Sequence, residues 1–171
     1  MKSFVVRLMG TALVSLVTVS SAGAGSLKTW DAVIDKPSRF KVLTASNSEA
    51  VLDKETGLVW QRNASNPDRS LDNARLDCYR AVIGGRQGWR LPTAPELASL
   101  LHPPSQSPAL PPGHPFLNVQ EDYYWTTTVP FPRSFPALVS TVDFTGTGGW
   151  VGYAADTEIH HVWCVRGPGA P

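Results

Sequence analysis

Beyond its first two dozen residues, this 171-residue chain has no apolar run long enough to cross a bilayer, which takes about 20 apolar residues. It has no excess of either charge. Lys2 and Arg7 are two of its 15 basic residues, so from residue 25 onward 13 basic residues face 14 acidic ones. No lysine-rich run occurs, and acids interleave with Arg69, Arg75, Arg80, Arg86 and Arg90. Nucleic acid is therefore not expected as the main partner, because it calls for a basic face. A glycine-rich phosphate loop, a Gly-x-Ser-x-Gly elbow and an internal repeat are all missing, which removes the common signatures of nucleotide hydrolysis and serine esterases.

What the chain does have begins with an export signal. Lys2 and Arg7 precede the apolar run Leu8–Val19, and Ala22-Gly23-Ala24 fits a small-residue cleavage site. The run is about a dozen residues, too short for a membrane anchor. Residues 1–24 are thus expected to be a secretory signal, 25–38 a leader segment and 39–168 one folded domain. Periplasm and full secretion fit equally well. Cysteine is limited to Cys78 and Cys164. In an exported chain an even count points to a disulfide, and the alternative is a thiol nucleophile beside His160 or His161.

Strand signals begin at Arg39–Leu43. Ala50–Arg62 reads as a hairpin, with Asp53–Gly57 as the turn and Gly57 suited to positive φ. A helix follows. Ser70 can cap it, Asp72 sits in its first turn, and Leu71, Ala74, Cys78, Ala81 and Val82 make one apolar face before Gly84-Gly85 stops it. Cys78 then points inward. Thr93 and Glu96 match a capping box, with Pro95 in the first turn of a second helix. Local rules leave Trp89 and Arg90 unexplained. Arg90 is expected to be mostly buried and bonded to carbonyls or an acid. Residues 102–122 form a long proline-rich loop that Phe116 and Leu117 could pin. Strands are predicted at 123–129, 137–144 and 150–153, with a final one at 158–166. Helices gathered before an antiparallel sheet indicate an α+β fold.

The stretches Ala50–Arg62, Asp72–Leu101, Gly113–Phe116, Tyr123–Thr128 and Val162–Gly167 together resemble the Lcl C-terminal domain family. This is a bacterial module first described at the end of a collagen-like adhesin. The resemblance covers about Phe40 to Gly167. It implies a variant of the C-type-lectin-like fold, with two helices packed on a twisted antiparallel sheet and first and last strands paired. It also implies a helix-to-final-strand disulfide, here Cys78 to Cys164. The founding member is linked to glycosaminoglycan and surface adhesion. No collagen-like repeat precedes this domain, so display on a trimeric stalk is not expected. The Glu-Pro-Asn and Trp-Asn-Asp triplets of calcium-dependent lectins are also missing, so calcium-mediated sugar binding is not carried over.

The cluster most like an active site is Asp156–His161. In a strand, Asp156, Glu158 and His160 would share a face, and carboxylates with imidazole can hold a divalent metal, helped by His102 or His114 from the loop. A second cluster with ligand spacing is missing, and no cofactor is expected. Glu121 and Asp122 form a carboxylate pair with nothing visible to separate their pKa values. Trp60, Trp89, Trp125 and Trp163 fall in the shared motifs and read as core, alongside the structural motif residues Arg90, Thr93 and Glu96. Trp150 and Tyr153 are the surface aromatics placed to meet a ligand, and Arg133 the residue placed to meet an anionic one. The expected function is a non-catalytic, exported binding or adhesion module for a polysaccharide or an envelope protein. A metal-dependent hydrolase and a structural envelope component are the alternatives.

Overall fold

A computed structural model of the chain describes residues 39–64, 67–102, 107–130, 137–146 and 149–167. The signal segment, the leader and Arg133 lie outside the described residues. Among the described residues seven strands occur in chain order: β1 Phe40–Val42, β2 Ala50–Asp53, β3 Val59–Gln61, β4 Tyr123–Trp125, β5 Leu138–Asp143, β6 Val151–Ala155 and β7 Val165–Arg166. Helices α1, Leu71–Arg80, and α2, Ala94–Ala98, lie between β3 and β4. The class is α+β, as expected. The single sheet is not: the strands form two antiparallel sheets, ordered β1-β2-β3-β7 and β4-β5-β6.

The strand pairing differs from the C-type-lectin-like expectation. β7 pairs with β3, and β1 lies at the opposite edge. Trp60 of β3 faces Val165 of β7 and Val51 of β2 in register. This row of apolar side chains is buried in the core, which holds β7 rather than β1 beside β3. The predicted final strand at 158–166 shrinks to Val165–Arg166, for reasons taken up at the site below.

Helix α1 ends two residues before its apolar stripe does. Ala81 has extended backbone angles, so Val82 swings out and is exposed while Leu71, Ala74 and Cys78 stay buried. Ser70 occupies the N-cap position, but its side chain makes no capping bond. Gly84, at φ +59°, lies against Ser46, leaving no room for a Cβ. Its N–H donates to the Glu49 carboxylate at 2.6 Å.

Helix α2 starts as local chemistry dictates. Glu96 N–H donates to Thr93 Oγ1 at 3.4 Å, and Thr93 N–H donates to Glu96 Oε2 at 2.8 Å, a complete capping box. The same carboxylate takes two bonds from Arg90, NH1 at 2.8 Å and NH2 at 2.7 Å. Arg90 NH1 also donates to Leu91 O. Arg90 therefore has the acid and carbonyl partners expected of it, and at 29% side-chain exposure most of the side chain is out of solvent, as expected. Burial alone would raise the Glu96 carboxyl; the bonds from Arg90 and the Thr93 N–H outweigh it and hold the pKa below its usual value. Its stabilising contribution is complete above the unfolded pKa of about 4 and is lost as pH falls through the lower folded value. Glu96→Ala removes cap and ion pair together. We expect a loss of about 2 kcal/mol at neutral pH in urea unfolding, with a smaller difference from the parent in strong acid. An equal difference at both pH values would contradict the ion-pair account.

The core has two lobes. One joins Val51, Trp60, Leu97, Leu100, Tyr124, Val142, Trp163 and Val165. The other gathers Leu71, Ala74, Cys78, Trp89, Trp125, Val139 and Cys164. Trp60, Trp89, Trp125 and Trp163 are all buried, as their motif positions predicted. Trp89 Nε1–H donates to Arg86 O at 2.7 Å. Cys78 and Cys164 are bonded to each other, with Cα atoms 5.4 Å apart, so the bridge ties α1 to the residue before β7. The thiol alternative is thereby removed. Phe116 is buried against Trp163 and anchors the proline-rich loop. Leu117 anchors it by backbone, donating to Arg62 O and accepting from Ala64 N–H, while its side chain stays exposed.

Candidate functional site

Alternation along β6 decides where its aromatics point. Trp150 and Tyr153 are three residues apart, so they face opposite sides of the sheet. They are exposed, at 54% and 62%, but do not form one platform. Trp150 shares its face with Gly152 and, across the sheet, with Tyr123 and Trp125. Its indole lies over Gly152, where an added Cβ would come 3.3 Å from the ring. Glycine at 152 makes this seat. Tyr123 meets the indole edge-on with ring centres 6.2 Å apart.

The segment after β6 turns at Asp156–Thr157 and runs between two backbones instead of continuing as a strand. His160 exchanges backbone bonds with Arg69 on one side, and His161 N–H donates to Tyr123 O on the other. These pairings are isolated bridges, which is why the predicted strand at 158–166 does not form. The two histidines point to opposite sides. His160 packs on Trp125, with ring centres 4.7 Å apart, and on Tyr123 at 5.9 Å. His161 lies against Tyr124 at 5.3 Å. Its Nδ1 is 2.7 Å from Asp68 Oδ1 and its Nε2 is 3.7 Å from Asp122 Oδ2. Burial pushes the Tyr124 phenol up to about 12, with Asp122 and Asp68 adding to it against the Gln120 N–H bond.

The expected trio of Asp156, Glu158 and His160 is split. Glu158 Oε2 is 3.4 Å from His160 Nε2, and its other oxygen accepts from Ala155 N–H at 2.8 Å. Asp156 instead lines a separate hollow of about 280 Å³ beside Leu71, Arg75 and Leu138. Among the described residues no three His, Cys, Asp or Glu side chains gather at metal-holding geometry. His114 stacks on Phe116 with ring centres 5.9 Å apart, and burial lowers its pKa.

One surface thus carries Trp150, Tyr123 and His160 in a row, with the half-exposed Glu158 carboxylate beside His160, while Asp122 lies with His161 on the other side. Tyr123 and His160 were not assigned to it from sequence. The period-two rule applied to Trp150 would have excluded Tyr153. Tyr123 enters only through cross-sheet pairing, which no local pattern reveals.

The family model of the Lcl C-terminal domain matches residues 49–166. The chain belongs to the Lcl C-terminal domain family. No curated protein and no solved structure gives a significant match. The matched span of the Lcl C-terminal domain includes both cysteines, the capping box and the whole aromatic row. No described helix is long and apolar enough to cross a membrane.

Proposed function

We propose that this Lcl C-terminal domain is an exported, non-catalytic module that binds a polysaccharide through the face bearing Trp150. The observation that carries the reading is an indole that is more than half exposed yet held in place from two sides. Gly152 supports it from below and Tyr123 from the side. An exposed indole otherwise costs solvation, and aromatic faces stack on the apolar faces of sugar rings. A preset ring loses little freedom when it does so. The Glu158 carboxylate beside His160 can accept hydrogen bonds from sugar hydroxyls. Export is supported by the Cys78–Cys164 bridge, which persists in oxidising compartments.

A glycan array followed by titration of the best ligand tests this. Trp150→Ala should weaken binding at least tenfold, roughly 1.4 kcal/mol or more, and shift folding stability by less than about 1 kcal/mol. Tyr153→Ala, on the opposite face, should leave affinity within about twofold. Equal loss in the two variants, or binding indifferent to Trp150, would remove the site. An envelope-protein ligand would appear as an empty array with capture of a secreted-fraction protein.

A further inference from the structure

The two sheets end differently. Among the described residues β1 is the free edge of its sheet; it is three residues long, follows Arg39 and carries Lys41. Charge and shortness of that kind discourage pairing with another chain. Among the described residues β6 is the free edge of the other sheet, and with Trp150 before it the stretch reads Trp-Val-Gly-Tyr-Ala-Ala to Ala155, with no charged side chain. Val151 and Tyr153 stand exposed on one side of it.

The hydrogen-bond phase of β6 is set at both ends. Asp143 N–H donates to Trp150 O at 2.9 Å, and Asp156 N–H donates to Ala137 O at 3.0 Å. With the β5–β6 register, the peptide groups of Trp150, Gly152 and Ala154 turn toward β5, and those of Val151, Tyr153 and Ala155 turn outward. The Glu158 carboxylate occupies the Ala155 N–H. Among the described residues nothing pairs with the outward groups of Val151 and Tyr153.

We infer that this edge pairs with the same edge of a second copy, antiparallel about a two-fold axis at Gly152. In that register Val151 of each copy meets Tyr153 of the other, giving about four backbone bonds and two aromatic-to-β-branched contacts. The stretch is neutral, so self-pairing sets no like charges opposite one another, and a glycine at the axis puts no side chain where the strands come closest. The Glu158 clasp ends the free edge and limits the pairing to this short stretch. The contact is smaller than stable dimers need, about 1,200 Å² or more, so the dimer forms and dissociates with concentration. Both Trp150 indoles then lie on one face of the joined sheet. The inference rests on the strand edge and not on sugar binding.

Amide hydrogen exchange and sedimentation velocity on the disulfide-bonded protein across a concentration series test it. The Val151 and Tyr153 amides should slow about tenfold or more at high concentration, while those of Gly152 and Ala154, already bonded to β5, stay unchanged. Tyr153→Lys puts a cation at each end of the pairing and should weaken the dimer about tenfold. Val151→Pro removes an outward N–H that β5 does not use, and should do the same. Neither variant alters Trp150, so a failure of the glycan site and a failure of the edge read separately. A monomer at every concentration, or a dimer unchanged in both variants, overturns the inference. So does uptake of an extended apolar peptide by a chain that never self-associates.

Discussion

Replacing Cys78 and Cys164 together by alanine should lower the free energy of unfolding by about 4 kcal/mol. The bridge spans a sequence separation of 86, and closing so long a loop removes much of the unfolded chain's freedom. Both cysteines are buried, so alanine adds no polar group to the interior. The lost sulfur atoms leave a small void beside Leu71, Ala74 and Trp89, which adds to the loss. Urea unfolding of the double variant and of the parent under a strong reductant should converge on similar midpoints. A loss below about 1 kcal/mol would mean that residues 78–164 stay compact when unfolded and that the bridge restrains little.

Asp53→Ala should cost about 3 kcal/mol or more. The residue has no solvent exposure and its carboxylate is saturated. Arg39 Nε donates to it at 3.0 Å and Arg39 NH2 at 2.7 Å, Glu55 N–H at 3.0 Å and Thr56 Oγ1 at 2.9 Å. Removing it leaves a nearly buried guanidinium with Glu55 and the Ser99 carbonyl alone and opens the β2–β3 turn. Burial by itself would raise the Asp53 carboxyl; the bonds and charge of Arg39, with Thr56 and the Glu55 N–H, outweigh it and hold the pKa below the usual value. The stabilisation is therefore full above the unfolded pKa near 4 and fades as pH drops through the folded value. Asp53→Asn keeps the volume and should flatten that acid limb. An unchanged slope of stability against pH in Asp53→Asn would show that the carboxylate charge is not what holds the turn.

The hairpin, the Thr93–Glu96 cap and the inward face of Cys78 were legible in the sequence because each is governed by residues within four positions of one another. Asp53 read only as a turn residue, since its partner Arg39 is 14 positions away and arrives through β1–β2 pairing. Arg90 read as unexplained until the cap supplied the reason: one Glu96 carboxylate serves the backbone of α2 and the guanidinium together. The end of α1 was overrun because Ala81 and Val82 continue a 3.6-residue period that tertiary packing no longer uses. The final strand was overextended because Glu158–His161 has strand-like residues but is wedged between Arg69 and Tyr123. For the same reason Asp156, Glu158 and His160 did not meet. The aromatic row depends on which strands become neighbours, and that pairing is set by the fold as a whole.

The position of the disulfide also decides where tension would travel. Pulled at residues 39 and 167, the covalent path runs along β1, the hairpin and α1 to Cys78, crosses to Cys164 and leaves through β7. Residues 79–163, with α2, the three-stranded sheet and Trp150, hang off that path as an unloaded loop. While the bridge is intact, a surface held at one end and dragged at the other keeps its aromatic face in shape. Reduction would put the same force straight through the site.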